Sequence, residues 1–189
     1  HRDIDPEDFW KHCLMTAIAT KVIDQYRMVP SDFNEDTAYV SGLLHDVGQL
    51  LLNCYFPEVF KEVMHRAERD NDPYADVERN MLGMDHGEMG GILLERWHFP
   101  EAIIQAVSWH HEPGCAPEKY RSLAQTIHLA DFICHSLGIG TSLGSISPAK
   151  RFYDNVWNDL GVSVDDLPAI MDRINKEEQR CVAIVTMES

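Results

Sequence analysis

The sequence predicts an all-α fold. Apolar residues recur at helical spacing from end to end, no stretch sustains the alternation of β-branched residues that a sheet needs, and cap and proline signals recur along the chain. Asp5-Pro6 sets an N-cap before a first-turn proline and opens a helix to about Arg27, with Phe9, Leu14, Ala17 and Ile18 inward and His12 riding on it. Pro30-Ser31-Asp32 is a turn, and Asp36 or Thr37 starts a helix carrying Ala38, Val40, Leu43 and Leu44 into His45-Asp46. Gly48 and the run Leu50 to Leu52 continue the pattern, and Pro57 opens a helix through Val59, Phe60, Val63 and Met64. Asp72-Pro73 repeats the cap-plus-proline signature before a short helix to Met81 or Leu82. Asp85 and Glu88 have the spacing of a capping box, which places His86 in a first helical turn.

Gly90-Gly91 permits close packing on a neighbouring element, and Trp97, Phe99, Ile103, Ile104 and Val107 supply bulk for the core. Pro100 begins a helix that ends at His110-His111, and Pro113-Gly114 breaks the chain before a helix from Tyr120 to Leu137. Glycine and Ser/Thr content makes 138–147 a loop. Helices follow from Arg151 to Leu160 and, capped by Ser163, from Val164 to Val185. The expected organisation is a helical core over 1–138, a linker over 139–148, and C-terminal helices over 149–189 that pack on the core.

Composition narrows the function. The 189 residues can bury a real core. A net charge of −15, from 31 Asp+Glu against 16 Lys+Arg, repels polyanions unless a basic patch intervenes. The densest basic stretches, Lys11 to Lys21 and Lys150-Arg151, are interrupted or short, so nucleic acid is not an expected partner. Cys13, Cys54, Cys115, Cys134 and Cys181 are widely spaced and odd in number, which argues against a disulfide framework or a thiolate zinc site and predicts reduced, mostly buried thiols. No apolar run approaches a membrane span and no signal segment opens the chain, so no membrane partner and a cytoplasmic location are expected. The start at His1-Arg2 is expected of a segment of a longer protein or of a cleavage product.

Histidine is the informative residue. His12, His45, His86, His110 and His111 fall on or at the ends of separate helices, and Asp46 and Asp131 add carboxylates. A helical bundle assembles a site from residues distant in sequence in this way. Imidazoles and carboxylates without a thiolate favour six-coordinate iron, manganese, nickel or magnesium over closed structural zinc. Each residue also has an ordinary role open to it. His12 could be a core histidine donating to a carbonyl, His86 could decorate a helix start, His110-His111 could end a helix, and Asp131 could cap or pair an ion. His1, His65, His98 and His135 are read as structural or solvated, with His135 one turn beyond Asp131.

The order His, His-Asp, His, His-His, Asp resembles the binuclear HD superfamily of metal-dependent phosphohydrolases. Four strings narrow the likeness to an HDOD domain over about Phe9 to Gly138: Ser41-Gly-Leu-Leu-His-Asp-Val-Gly48, Asp85-His-Gly-Glu-Met-Gly90, Trp97-His-Phe-Pro100 and His110-His-Glu-Pro113. The resemblance implies an HD-domain-like helical bundle holding two divalent ions. One ion would take His12, His45, Asp46 and Asp131, the other Asp46, His86, His110 and His111, with a hydroxide held between them as nucleophile. His45 and Asp46 are then the catalytic candidates, and Glu112 or His128 could support a ligand from outside.

Three departures bear on activity. Gln49 stands where the HD-GYP relatives carry a lysine, Glu112-Pro113-Gly114-Cys115 replaces their Gly-Tyr-Pro signature, and the sequence starts short of the helical block that usually precedes this stretch in HDOD proteins, as expected of a fragment or a shortened form. Cyclic di-GMP hydrolysis is therefore not expected. The resemblance implies a signalling domain with phosphohydrolase activity on a small phosphorylated or nucleotide ligand. The alternatives are a catalytically silent module that docks a signalling protein and, on fold analogy alone, a di-iron oxygenase.

Overall fold

The computed structural model describes residues 4–140 and 152–187, and among these every regular element is helical. α1 (Pro6–Asp24), α2 (Glu35–Leu44), α3 (Val47–Tyr55), α4 (Pro57–Asp70) and α5 (Tyr74–Leu82) are followed by α6 (His86–Arg96), α7 (Glu101–Ser108), α8 (Glu118–Ser136), α9 (Val156–Leu160) and α10 (Leu167–Met187). Short 3-10 turns occupy Pro113–Cys115 and Val164–Asp166.

Local chemistry explains most of the starts. The Asp5 side chain accepts from the backbone N–H groups of Glu7 and Asp8 at the head of α1, and Asp85 forms the complete capping box with Glu88 at the head of α6. Other boundaries move. α1 ends at Asp24, short of Arg27, and α2 starts at Glu35 because Asn34 caps it by accepting from Thr37 N–H. Pro73 is itself the N-cap residue of α5, with no side-chain cap, so Asp72-Pro73 does not work as Asp5-Pro6 does. α7 stops at Ser108 and leaves His110-His111 beyond its end, while α8 begins at Glu118. Of the helix expected from Arg151, only Val156–Leu160 forms among the described residues, and Ser163 caps a 3-10 turn ahead of α10. Residues 141–148 of the expected linker lie outside the described residues, as do His1 and the Lys150-Arg151 pair.

α1 runs between α2, α8 and α10, and α8 also packs against α2, α7 and α9. The largest apolar cluster joins Met15, Val22 and Ile23 of α1 to Leu129 and Ile133 of α8, Val156 and Leu160 of α9, and Ile170 and Ile174 of α10. A second layer, α3 against α6 and α6 against α7, buries Val47, Leu94, Ile103, Ile104 and Val107. Trp97 is the exception among the expected core residues. It is the C-cap of α6 and is 56% exposed, because the chain turns there toward Pro100. The cysteines are free, but only Cys13 and Cys134 are buried; Cys54 and Cys115 are exposed.

Small residues let the layers approach. A methyl at Gly42 would stand 2.8 Å from Ala17 Cα, and one at Gly91 would strike the Ser108 side chain. At Gly48 it would collide with the His86 carbonyl, with the carbonyl carbon at 2.8 Å and Gly90 N at 2.9 Å. α3 and α6 thus touch backbone to backbone beside the two metal-candidate residues Asp46 and His86. No helix among the described residues is long and apolar enough to cross a membrane.

Candidate metal centre

The break between α2 and α3 is where the site begins. His45 ends α2 and Asp46, with φ −98° and ψ 10°, precedes α3, so the dipeptide occupies a corner and not a continuous helix. His45 is fully buried and donates from Nδ1 to the Gly42 carbonyl at 2.7 Å. His110 repeats the device beyond α7, donating from Nδ1 to the Val107 carbonyl at 2.7 Å. Its own carbonyl accepts from His128 Nδ1 at 2.7 Å, while His128 Nε2 accepts the Tyr153 N–H. His128 therefore steadies the His110 backbone. Glu112, the other expected support, pairs with Arg79 at 2.6 Å.

His12 reaches the same place from α1. Its Nδ1 bonds the Ile139 carbonyl at 3.3 Å, at the turn that ends α8, where Gly138 and Gly140 have φ of +72° and +64°. A side chain at Gly140 would overlap the Asp8 carbonyl and stand 2.7 Å from His12 Cβ, so the positive φ and the close approach both call for glycine. His86, in the first turn of α6, is held by Glu78 of α5. One carboxylate oxygen of Glu78 accepts from His86 Nδ1 at 2.6 Å and from the His86 backbone N–H at 2.8 Å. Glu78 is 1% exposed.

Four imidazoles thus use Nδ1 outward, which turns Nε2 inward. Asp46 Oδ1 lies 3.1 Å from His86 Nε2 and 3.7 Å from His110 Nε2. Its Oδ2 lies 3.3 Å from His45 Nε2 and 3.7 Å from His12 Nε2. Asp131 Oδ1 lies 3.0 Å from His12 Nε2 and 3.6 Å from His45 Nε2. His111 closes the set at 2.7 Å, Nε2 to Nε2, from His86. All seven residues named from the sequence therefore converge on one centre. Metal-compatible groupings among the described residues are Asp46, His86, His110 and His111; His12, His45 and Asp46; His12, Asp131 and His135; and His45, His110 and Asp131.

The donor chemistry fits a divalent cation. His45 Nε2 and His110 Nε2 are buried and make no hydrogen bond. Because their other nitrogens already donate, Nε2 is the atom each ring leaves facing the carboxylates, where a bound divalent cation would give it a partner. The protein's own charges divide the rings accordingly. Burial opposes charge on His45, but Asp46 and Asp131 overcome it and raise the group to about 10. Burial and the neighbouring His45 and His86 push His110 down to about 4. Burial also works against ionised Asp46, yet His45 and His86 hold its carboxyl well below the usual carboxylate range.

Two participants were not legible as such. Glu78 is an acid in the middle of a short helix, eight residues from His86, and no local pattern marks it. His135, read as structural or solvated, places Nε2 3.2 Å from Asp131 Oδ1; its one-turn offset from Asp131 was the available signal. Gln49, where the HD-GYP relatives have lysine, is buried and sets its Nε2 3.3 Å from His86 Nε2. Arg79 binds Asp85, Glu88 and Glu112, which ties the α6 cap to the His110-His111 segment.

The Glu78 contact leads to a prediction. A carboxylate behind a ligating imidazole fixes its tautomer and raises its basicity, and losing such a partner weakens metal affinity roughly 10–100-fold. Glu78→Ala is expected to weaken Mn²⁺ binding by that factor, and Glu78→Gln by less, since its amide oxygen can still accept. Calorimetric titration measures both; unchanged binding in Glu78→Ala would remove Glu78 from the site.

Residues 1–113 match the HDOD domain family. Over 95 residues the chain is 33% identical to an uncharacterized protein of Treponema pallidum (strain Nichols), a stretch amounting to 50% of this chain and 18% of that protein. The fold is similar to that of a candidate signal transduction protein from Marinobacter aquaeolei VT8, with a TM-score of 0.78 and 20% identity over 95% of this chain and 38% of that one. It is also similar to a candidate phosphohydrolase from Shewanella amazonensis SB2B, with a TM-score of 0.67 and 24% identity over 91% of this chain and 60% of that one. The chain spans less than two thirds of each of these proteins, and the two structural likenesses show a shared fold.

Proposed function

The chain belongs to the HDOD domain family, and from that premise we propose that it is a signalling domain whose centre binds two divalent ions and hydrolyses a small phosphoester or nucleotide. The observation that carries this reading is Asp46, which offers one oxygen to His86 and His110 and the other to His45 and His12. A carboxylate placed so is suited to bridge two ions. When bound, divalent ions polarise a phosphoryl oxygen and lower the pKa of water toward neutrality. The protein's part is orientation. Gly42, Val107, Ile139 and Glu78 each fix one ring by its outward nitrogen, and burial excludes competing water.

A recess of about 290 Å³ adjoins His111 and is lined by Pro113, Gly114, Phe152 and Tyr153. Its aromatic walls suit the organic part of a phosphoester or a nucleobase. A neighbour in fold described as a candidate phosphohydrolase is consistent with this chemistry.

A second reading, a catalytically silent module that docks a signalling protein, is favoured by Gln49 and Arg79. Gln49 supplies no cation for phosphate, and Arg79 is committed to three carboxylates. Elemental analysis of protein purified without chelator tests the common premise, with about two ions per chain expected; no stoichiometric metal would overturn the metal-centred reading. Assay of Mn²⁺-loaded protein against phosphoesters and cyclic nucleotides separates the two. Turnover supports the hydrolase, and metal binding with no turnover on the panel supports the silent module.

A further inference from the structure

We propose that His135 is an eighth metal-ligating residue, joining His12, His45, Asp46 and Asp131 on one ion and leaving the ion at His86, His110 and His111 with more open positions. The inference rests on the two-ion reading and goes beyond it by making the two sites unequal. His135 lies one turn after Asp131 on α8, so both side chains leave the helix on one face. Three imidazole nitrogens converge on the single oxygen Asp131 Oδ1: His12 at 3.0 Å, His135 at 3.2 Å and His45 at 3.6 Å. Ligand atoms on adjacent corners of an octahedral ion with bonds of about 2.1 Å stand about 3 Å apart, and these separations sit near that edge. His12, Asp131 and His135 bring one ligand atom each within 4.8 Å of one another. The His12 and His135 rings lie 4.5 Å apart, centroid to centroid.

A ligating nitrogen serves one ion, so His12 cannot be divided between His45 and Asp46 on one side and Asp131 and His135 on the other. A single ion taking the whole set has five protein ligands and one free position out of six. Asp46, His86, His110 and His111 supply four, leaving two. The less crowded ion is the one beside the His111 recess, which assigns ligand entry to that side. The plainer account of His135 is a hydrogen bond that merely steadies Asp131. It predicts that any donor of similar reach would serve.

The test is Mn²⁺ titration, by calorimetry and by electron paramagnetic resonance, of the wild-type chain and of His135→Ala, His135→Gln and His65→Ala, the last being an exposed control on α4. The His135 side chain is 39% exposed, so the variants should fold, which circular dichroism checks. The expected result is two binding steps in the wild type and in His65→Ala. In His135→Ala and His135→Gln one step weakens about 10- to 100-fold, and millimolar imidazole restores His135→Ala. Wild-type affinity in both His135 variants, or in His135→Gln alone, overturns the ligand role while the two-ion reading stands. A wild type that takes up no Mn²⁺ overturns that reading and this inference with it.

Discussion

Asp46→Ala is expected, on the proposed two-ion reading, to abolish ordered binding of both ions, lowering Mn²⁺ affinity at least about a hundredfold at each step, more than loss of an outer partner costs. The reason is position. Asp46 lies within 3.1–3.7 Å of imidazoles of both groupings that include it, through different oxygens. Asp131 faces His12, His45 and His135 through one oxygen, so Asp131→Ala should weaken one step and spare the other. The contrast is diagnostic. Calorimetric stoichiometry reads it directly, and any phosphoester turnover should vanish in Asp46→Ala. Two unchanged binding steps in Asp46→Ala would show that the carboxylate does not bridge.

Gly48→Ala is expected to cost about 3 kcal/mol or more, at the severe end for overpacking, because the obstruction is backbone and not a movable side chain. For a chain of this size that is a fall of roughly 10 °C in melting temperature. The added methyl would meet the His86 carbonyl and Gly90 N–H region of α6. Relief requires α3 and α6 to separate, which draws Asp46 away from His86. The variant should therefore lose metal affinity along with stability, whereas Gly83→Ala, whose new methyl would meet nothing within 4 Å, should pay only for its φ of +84°. Thermal unfolding by circular dichroism, with and without Mn²⁺, measures both effects. Wild-type melting and binding in Gly48→Ala would show that the two helices do not depend on this contact.

The parts of the structure legible in the sequence are those governed by short-range chemistry. The Asp85–Glu88 capping box and the Asp5 cap form within three residues and could be read directly. The apolar stripe of α4 follows from helical periodicity, whereas α1 and α8 are buried on most sides. Boundaries failed where the competing group was equally local but less obvious, as with Asn34 at α2, or where a signal had two outcomes, as with Pro73. Trp97 failed because aromatic character says nothing about which side of a helix end faces water.

Apolar periodicity and cap signals determined by themselves that the chain is helical, and the order of histidines and aspartates, with the strings around them, marked it as of HDOD type and carrying a set of side chains that could hold a metal. Tertiary structure decided which groups stand behind these side chains and how the side chains are grouped in space. Glu78 meets His86 because α5 and α6 pack together, and His135, already one helical turn from Asp131, meets His12 because α1 packs against α8. Such contacts depend on the approach of separate helices to within a few ångströms. A linear pattern encodes which face each helix buries, but the distance at which two buried faces come to rest is set by every side chain between them.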